Sequence, residues 1–186
     1  ARTDWQKWHL HSGGSANSVF GNGQLGLAEP GDEPADHYVY DPRFPVQTMG
    51  GANCCSPGIV PWGPYDQRPV EARSDVLVYT TDTLQEDMEV TGPIKLVVDA
   101  GTDGPDTDWT AKLVDVSPSG YAMNLTDGIL RARYRESRTD PTLLTPNKVY
   151  RYEIDVGVTG NLFRKGHSIR IEVTSSNFPR FDRNPN

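Results

Sequence analysis

Long apolar runs are missing from this 186-residue chain. Nothing approaches the roughly 18 consecutive apolar residues of a membrane-spanning helix, and Ala1 opens no basic-then-apolar leader. The expectation is a soluble chain, with export left open. A basic surplus is missing too. Lys and Arg number 18 against 25 Asp and Glu, for a net charge of −7, whereas a phosphate-tracking surface needs a cationic patch that displaces counterions. Nucleic acid is therefore not an expected partner, and no membrane is either. Cysteine is scarce: Cys54 and Cys55 are the only two and they are adjacent. Joining neighbours closes a strained small ring, far from ordinary disulfide geometry, so two reduced thiols and a cytoplasmic setting are expected.

Catalytic signatures are equally sparse. A nucleophile elbow needs G-x-S-x-G, because only glycines permit its sharp strand-to-helix turn; the nearest match is HSGGSANS. Ser12 and Ser15 thus read as loop polar residues, with His9 and His11 too close in sequence to serve as a remote base. No phosphate-binding loop, HExxH or paired CxxC occurs, so no cofactor and no metal is expected, and His37 and His167 read as isolated histidines. Asp99, Asp103, Asp106 and Asp108 could wrap a hard cation, but their spacing fits a hairpin rich in turn-forming aspartates better. Trp5, Trp8, Trp62 and Trp109 are scattered over the chain, which favours buried or interface roles over a sugar-stacking platform.

Glycine (18) and proline (15) are abundant, and no helical period is sustained over four turns. A short entry strand is expected at Trp5–Leu10, then a long run with little periodicity. From Asp75 strands recur at intervals of about eight to twelve residues, the spacing of a sandwich or barrel. The candidates are DVLVYTT, MEVTGPIKLVVDAG, DWTAKLVDV, GILRARYR, VYRYEIDVGV and SIRIEVTSS. Tyr150, Tyr152, Ile154 and Val156 share one face against Arg151, Glu153 and Asp155; Ile169, Ile171 and Val173 oppose Arg170, Glu172 and Thr174. Each pattern predicts one buried and one wet face. Arg131, Arg133 and Arg135 form a basic row, read as cross-strand partners for acidic neighbours. The architecture supported is a single all-β domain, a two-sheet jelly-roll β-sandwich.

The run TDWTAKLVDVSPSGYAMNLTDGILRARYRES, followed by VYRYEIDVGVTGNLFRKGHSIRIEVTSSNFPRFDRNPN, strongly resembles the C-terminal domain of the CocE/NonD serine hydrolases, which include cocaine esterase-like and α-amino-acid ester hydrolases. X-prolyl dipeptidyl peptidases share this domain. The resemblance covers Trp5 to Asn186, with Thr107-Asp108-Trp109 and Asn177-Phe178-Pro179-Arg180 as anchors. It implies a galactose-binding-like jelly roll without catalytic residues, residues 1–74 being a loop-rich portion and 75–186 carrying the main strands. The Ser-Asp-His triad would lie in a separate α/β-hydrolase domain of a bacterial enzyme, which together with a cap domain would be this chain's partner. The segment between His11 and Arg73 would pack on those domains. In such relatives the loop after the Gly-Gly pair approaches the substrate pocket, which makes Asn53, Cys54 and Cys55 candidates for its wall. In the closing SSNFPRFDRNPN, Arg180, Asp182 and Arg183 are expected to pair with one another or with backbone carbonyls, while Phe178 and Phe181 pack inward. The family pattern runs on into one more strand, so an open sheet edge and a fragment of a longer hydrolase are expected. A second copy of the chain is another candidate partner, and the rival reading is a stand-alone carbohydrate-binding jelly roll.

Overall fold

The computed structural model describes residues 4–53, 58 and 60–186. Its strands are β1 (His9–His11), β2 (Gln24–Gly26), β3 (Leu77–Thr80), β4 (Met88–Ala100), β5 (Asp108–Val116), β6 (Ala122–Arg131), β7 (Tyr150–Phe163) and β8 (Ser168–Thr174). One short helix, α1, spans Arg68–Glu71, and a single 3-10 turn spans Ala132–Tyr134. The strands form a six-stranded sheet in the order β1-β2-β3-β8-β5-β6 and a two-stranded sheet of β4 and β7. The chain crosses between the two sheets from β3 to β4, β4 to β5, β6 to β7 and β7 to β8, and β8 inserts between β3 and β5, as in a β-sandwich of the jelly-roll kind. β4 pairs with β7 alone.

The main core lies between the sheets and follows from alternation along the strands. Leu77 and Tyr79 of β3, Trp109, Ala111 and Leu113 of β5, and Ile169, Ile171 and Val173 of β8 meet Leu96 of β4 and Tyr152, Ile154, Val156 and Phe163 of β7. Where β6 passes under β7 the backbones nearly touch: a Cβ on Gly128 would lie 1.8 Å from the Asp155 carbonyl oxygen, so only glycine fits.

A third layer covers the other face of the large sheet. Val46 and Val70 from the loop-rich half pack on Val76 and Val78, forming a second, smaller core. Part of the loop-rich half therefore lies on its own sheet, a contact that glycine and proline content did not reveal. This layer also corrects the one-face-wet expectation for β8, because Arg170, Glu172 and Thr174 are as buried as the apolar residues between them. For β7 the expectation holds, with Arg151, Glu153 and Asp155 exposed.

Boundaries differ most in three places. The entry strand falls at His9–His11, with Trp5 exposed ahead of it. β6 starts at Ala122, ahead of the expected Gly128, and ends at Arg131, where the chain coils into the 3-10 turn. β7 runs on to Phe163. The arginine row is borne out at Arg131, which forks onto Asp108, its cross-strand neighbour; Arg133, in the 3-10 turn, still reaches Asp106, while Arg135 bonds the Ala132 and Thr142 carbonyls and pairs with Glu136. The Arg131 and Arg133 pairs occupy the two buried aspartates of the acidic loop, and Asp99 pairs with Arg151 on the exposed face of the two-stranded sheet. Among the described residues no three acidic, histidine or cysteine side chains converge as metal ligands would.

Candidate functional site

Two of the residue groups singled out in the sequence, the loop after Gly50-Gly51 and the closing segment, meet in space. Gly50 and Gly51 both have positive φ, 69° and 104°, which a side chain would strain. They turn the chain so that Gly51 bridges Gly63 through paired backbone hydrogen bonds of 2.7 and 2.9 Å. The Asn53 amide closes the turn by donating to the Gly50 carbonyl at 2.7 Å. Its other atom, Oδ1, accepts from Arg180 Nη1 at 3.4 Å. Cys54 and Cys55 lie outside the described residues.

Arg180 is fixed from below by Asp127 on β6, with Nε 2.9 Å from Oδ2, and Asn177 Nδ2 donates to the same oxygen at 3.1 Å. The Asp127 side chain is almost fully buried, and burial raises its pKa against the pull of Arg180, Lys112 and Asn177. Neighbouring Asn124 accepts from the Tyr65 backbone at 2.6 Å, fixing the strand on the far side of the Gly51–Gly63 bridge.

A second support comes through the sheet. Lys112 of β5 donates to Gln67 Oε1 at 2.9 Å, and Gln67 Nε2 donates to the carbonyls of Met49 and Tyr65 at 2.7 and 2.9 Å. Met49 immediately precedes the two glycines. The loop is thus tied at its entry to Lys112, at its exit to Asp127, and across its bridge to Asn124.

The closing segment acts as a staple, but not chiefly through Arg180, Asp182 and Arg183. Ser175 bonds the Tyr38 hydroxyl at 2.7 Å, and Ser176 Oγ accepts from the Val46 backbone at 2.8 Å. Phe178 exchanges backbone hydrogen bonds with Val46 and Thr48. The Asn184 side chain donates to Asp106 and Asp108, while its carbonyl accepts from Tyr40. Arg183 reaches the Pro42 carbonyl at 3.1 Å, as expected of it, and Asp182 contributes its own carbonyl to Arg131. Arg180, Asp182 and Arg183 do not pair with one another. Phe178 is exposed and Phe181 half-buried, so neither packs inward as expected. Ser175, Ser176, Asn177 and Asn184 hold the buried positions, because short polar side chains satisfy backbone groups where a ring cannot.

On the opposite side an open groove of about 2210 Å³ runs between β4 and the large sheet. Trp5, Trp8, Tyr38 and Trp109 border it, together with core residues of β3 and β8.

A β-sandwich whose buried polar groups hold an ordered loop layer in place is the class of protein these features define. A family model described as the X-Pro dipeptidyl-peptidase C-terminal non-catalytic domain matches residues 1–186, and the chain belongs to that family. It is 45% identical over 184 residues to the cocaine esterase of Rhodococcus sp. (strain MB1 Bresler), covering 99% of this chain and 32% of that protein. Among solved structures, an aminopeptidase from a marine sediment archaeon superposes with a TM-score of 0.80 at 35% identity, over 98% of this chain and 32% of that one. An α-amino-acid ester hydrolase does so with a TM-score of 0.83 at 31% identity, over 97% and 30%. The chain therefore spans about a third of the length of these relatives.

Proposed function

We propose that this domain walls the substrate pocket of a serine hydrolase and steadies that enzyme's α/β-hydrolase and cap domains. The parent polypeptide would act on esters or amides of small acyl groups, or on X-prolyl peptides. Its serine attacks the acyl carbonyl, its histidine moves the proton, and an oxyanion hole holds the developing charge, all on the partner domain. The relatives named above are called an esterase, an aminopeptidase and an ester hydrolase, each the name of an enzyme that cleaves an ester or amide bond.

One observation carries the reading: the Gly50–Asn53 loop is held from three sides by buried polar groups, a degree of restraint that an idle surface loop does not need. Exposed aromatics flank it. Trp62 adjoins Gly63 at the bridge, Tyr65 follows, and Phe178 pairs with the strand leading in. Large apolar side chains gathered beside a rigid loop suit burial against another domain.

The test is Ala52→Trp in the full polypeptide. A ring added at the exposed tip of the loop raises KM several-fold for ester or X-prolyl anilide substrates while leaving the melting temperature unchanged. Unaltered KM across both substrate classes would show that the loop does not border the pocket. A carbohydrate-binding role has one observation in its favour, the convergence of Trp5, Trp8 and Trp109 on one groove. Saturable oligosaccharide binding that disappears in Trp8→Ala is the result that would favour it.

A further inference from the structure

Four ionisable side chains are sealed between the large sheet and the loop layer. Lys112 of β5 and Glu172 of β8 are 3% and 1% exposed, Glu71 of α1 is fully buried and Arg170 of β8 is 8% exposed. Arg170 Nη1 donates to Glu71 Oε2 at 2.7 Å, and its Nε donates to the Thr80 hydroxyl at 2.8 Å. Lys112 Nζ spends a hydrogen bond on Gln67 and stands 3.4 Å from Glu172 Oε2.

Two cations facing two carboxylates is formally neutral, but the hydrogen bonds do not close. Among the described residues, Glu71 Oε1 and Glu172 Oε1 have no hydrogen-bond donor, and Glu172 Oε2 meets only the Lys112 ammonium, at 3.4 Å. An ionised carboxylate is acceptor-only, and a buried acceptor without a donor costs about 1–3 kcal/mol. Arg170 ties Glu71 to β8 at 2.7 Å, two residues from Glu172 on the same buried face, so both carboxyls share one enclosed space. A single proton resolves the mismatch, turning Glu172 into a donor toward the orphaned oxygen of Glu71.

We infer that Glu71 and Glu172 share a proton across the interface between α1 and β8, making the attachment of the loop layer pH-dependent. Every charged group around Glu172 bears on this. Lys112 from β5 opposes protonation and Glu71 from α1 favours it, while Arg170 on β8 pairs with Glu71 at 2.7 Å and Arg68 on α1 adds positive charge beside it. Asp127 on β6 is a further carboxyl in the field of Lys112. The net result is that burial, reinforced by Glu71, pushes Glu172 up to about 7.

The sign follows from linkage. The folded chain keeps a proton that the unfolded chain releases at the ordinary glutamate value of 4.5. Stability is thus full below that value and falls as pH rises toward about 7, where Glu172 loses its proton and the inner oxygens are again without a donor. α1 is the element that yields, because it is four residues long and held mainly by Val70 and Glu71. Gln67, at its N-cap, carries the Met49 carbonyl, so loosening α1 loosens the entry to the Gly50–Asn53 loop. The proton resides on this chain's own residues whatever substrate the parent enzyme takes.

Hydrogen exchange at the α1 amides of Val70, Glu71 and Ala72, in the full polypeptide and corrected for intrinsic rate, tests the idea. Protection should fall by up to about tenfold per pH unit between pH 5 and 7, while β5 amides stay protected. E172Q supplies a permanent donor to Glu71 and should abolish the slope, matching wild type at pH 5 and exceeding it at pH 8. Parallel profiles for the two proteins would overturn the proposal. Infrared spectra of the unmodified protein give a second readout should E172Q fail to fold: a carboxylic-acid carbonyl band present at pH 6 and lost by pH 8 is expected, and its absence at pH 6 would overturn the proposal equally.

Discussion

Ile169, Ile171 and Val173 on one face of β8 are no better hidden from water than Arg170, Glu172 and Thr174 on the other. The first face meets β4 and β7 across an apolar core; the second meets loops and a single turn of helix across a network of charges. Apolar contact is non-directional and tolerates small shifts, so the inner face can hold two sheets together without fixing each side chain. Charged and amide groups in a low-dielectric space must find partners at set distances. A polar face is therefore poorer at adding stability and better at fixing a loop in one place, which is what the Lys112–Gln67–Met49 connection does.

The contrast can be broken from either side. The largest loss is expected from the apolar face: Phe163→Ala, at a fully buried site, should cost about 3–5 kcal/mol in denaturant unfolding. That loss should be the same at pH 5 and pH 8. Lys112→Met strands Glu172 in the interior and, by the usual penalty for an unpaired buried charge, should approach a similar figure of about 3–5 kcal/mol at pH 8. The loss should shrink toward pH 5, where the carboxyl is neutral. Adding Glu172→Leu should recover most of it, because buried ion pairs are often replaceable by apolar groups; failure to recover would mean that the polar face stabilises more than it positions. The smallest effect belongs to the exposed Lys95–Glu153 pair between β4 and β7, where Lys95→Ala should leave the melting temperature unchanged at physiological salt.

The sandwich is legible in strand periodicity alone, and the pattern bounds β5 to the residue. The third layer is not legible. Alternation in β8 reports that two faces differ, but the same pattern serves a row facing water and a row facing buried partners, and only the fold decides between them. Within the site, Asn53 and Arg180 stand out separately in the sequence, and the fold joins them. Asp127, Gln67 and Lys112 do not stand out, since each is a common residue whose role exists only through a partner far along the chain. Asn177 stands in an anchor of the resemblance, and the run Ser175-Ser176-Asn177, polar residues directly continuing a strand that ends in the core, is the signal for its burial. Phe178 misleads for the opposite reason: its ring suggests burial, but its backbone makes the contact and the ring is left outside.

β4 offers thirteen residues of backbone along an edge that no other described strand covers. Such an edge templates pairing with other chains, and proteins that must stay dispersed blunt it. Here Gly92-Pro93 removes a donor, the register slips between Ile94 and Lys95, and Lys95 sets a charge at the break. These guards protect the first half of the strand and leave Leu96–Ala100 bare. In colloidal terms, such a stretch is where two copies of the domain would first find a matching backbone edge.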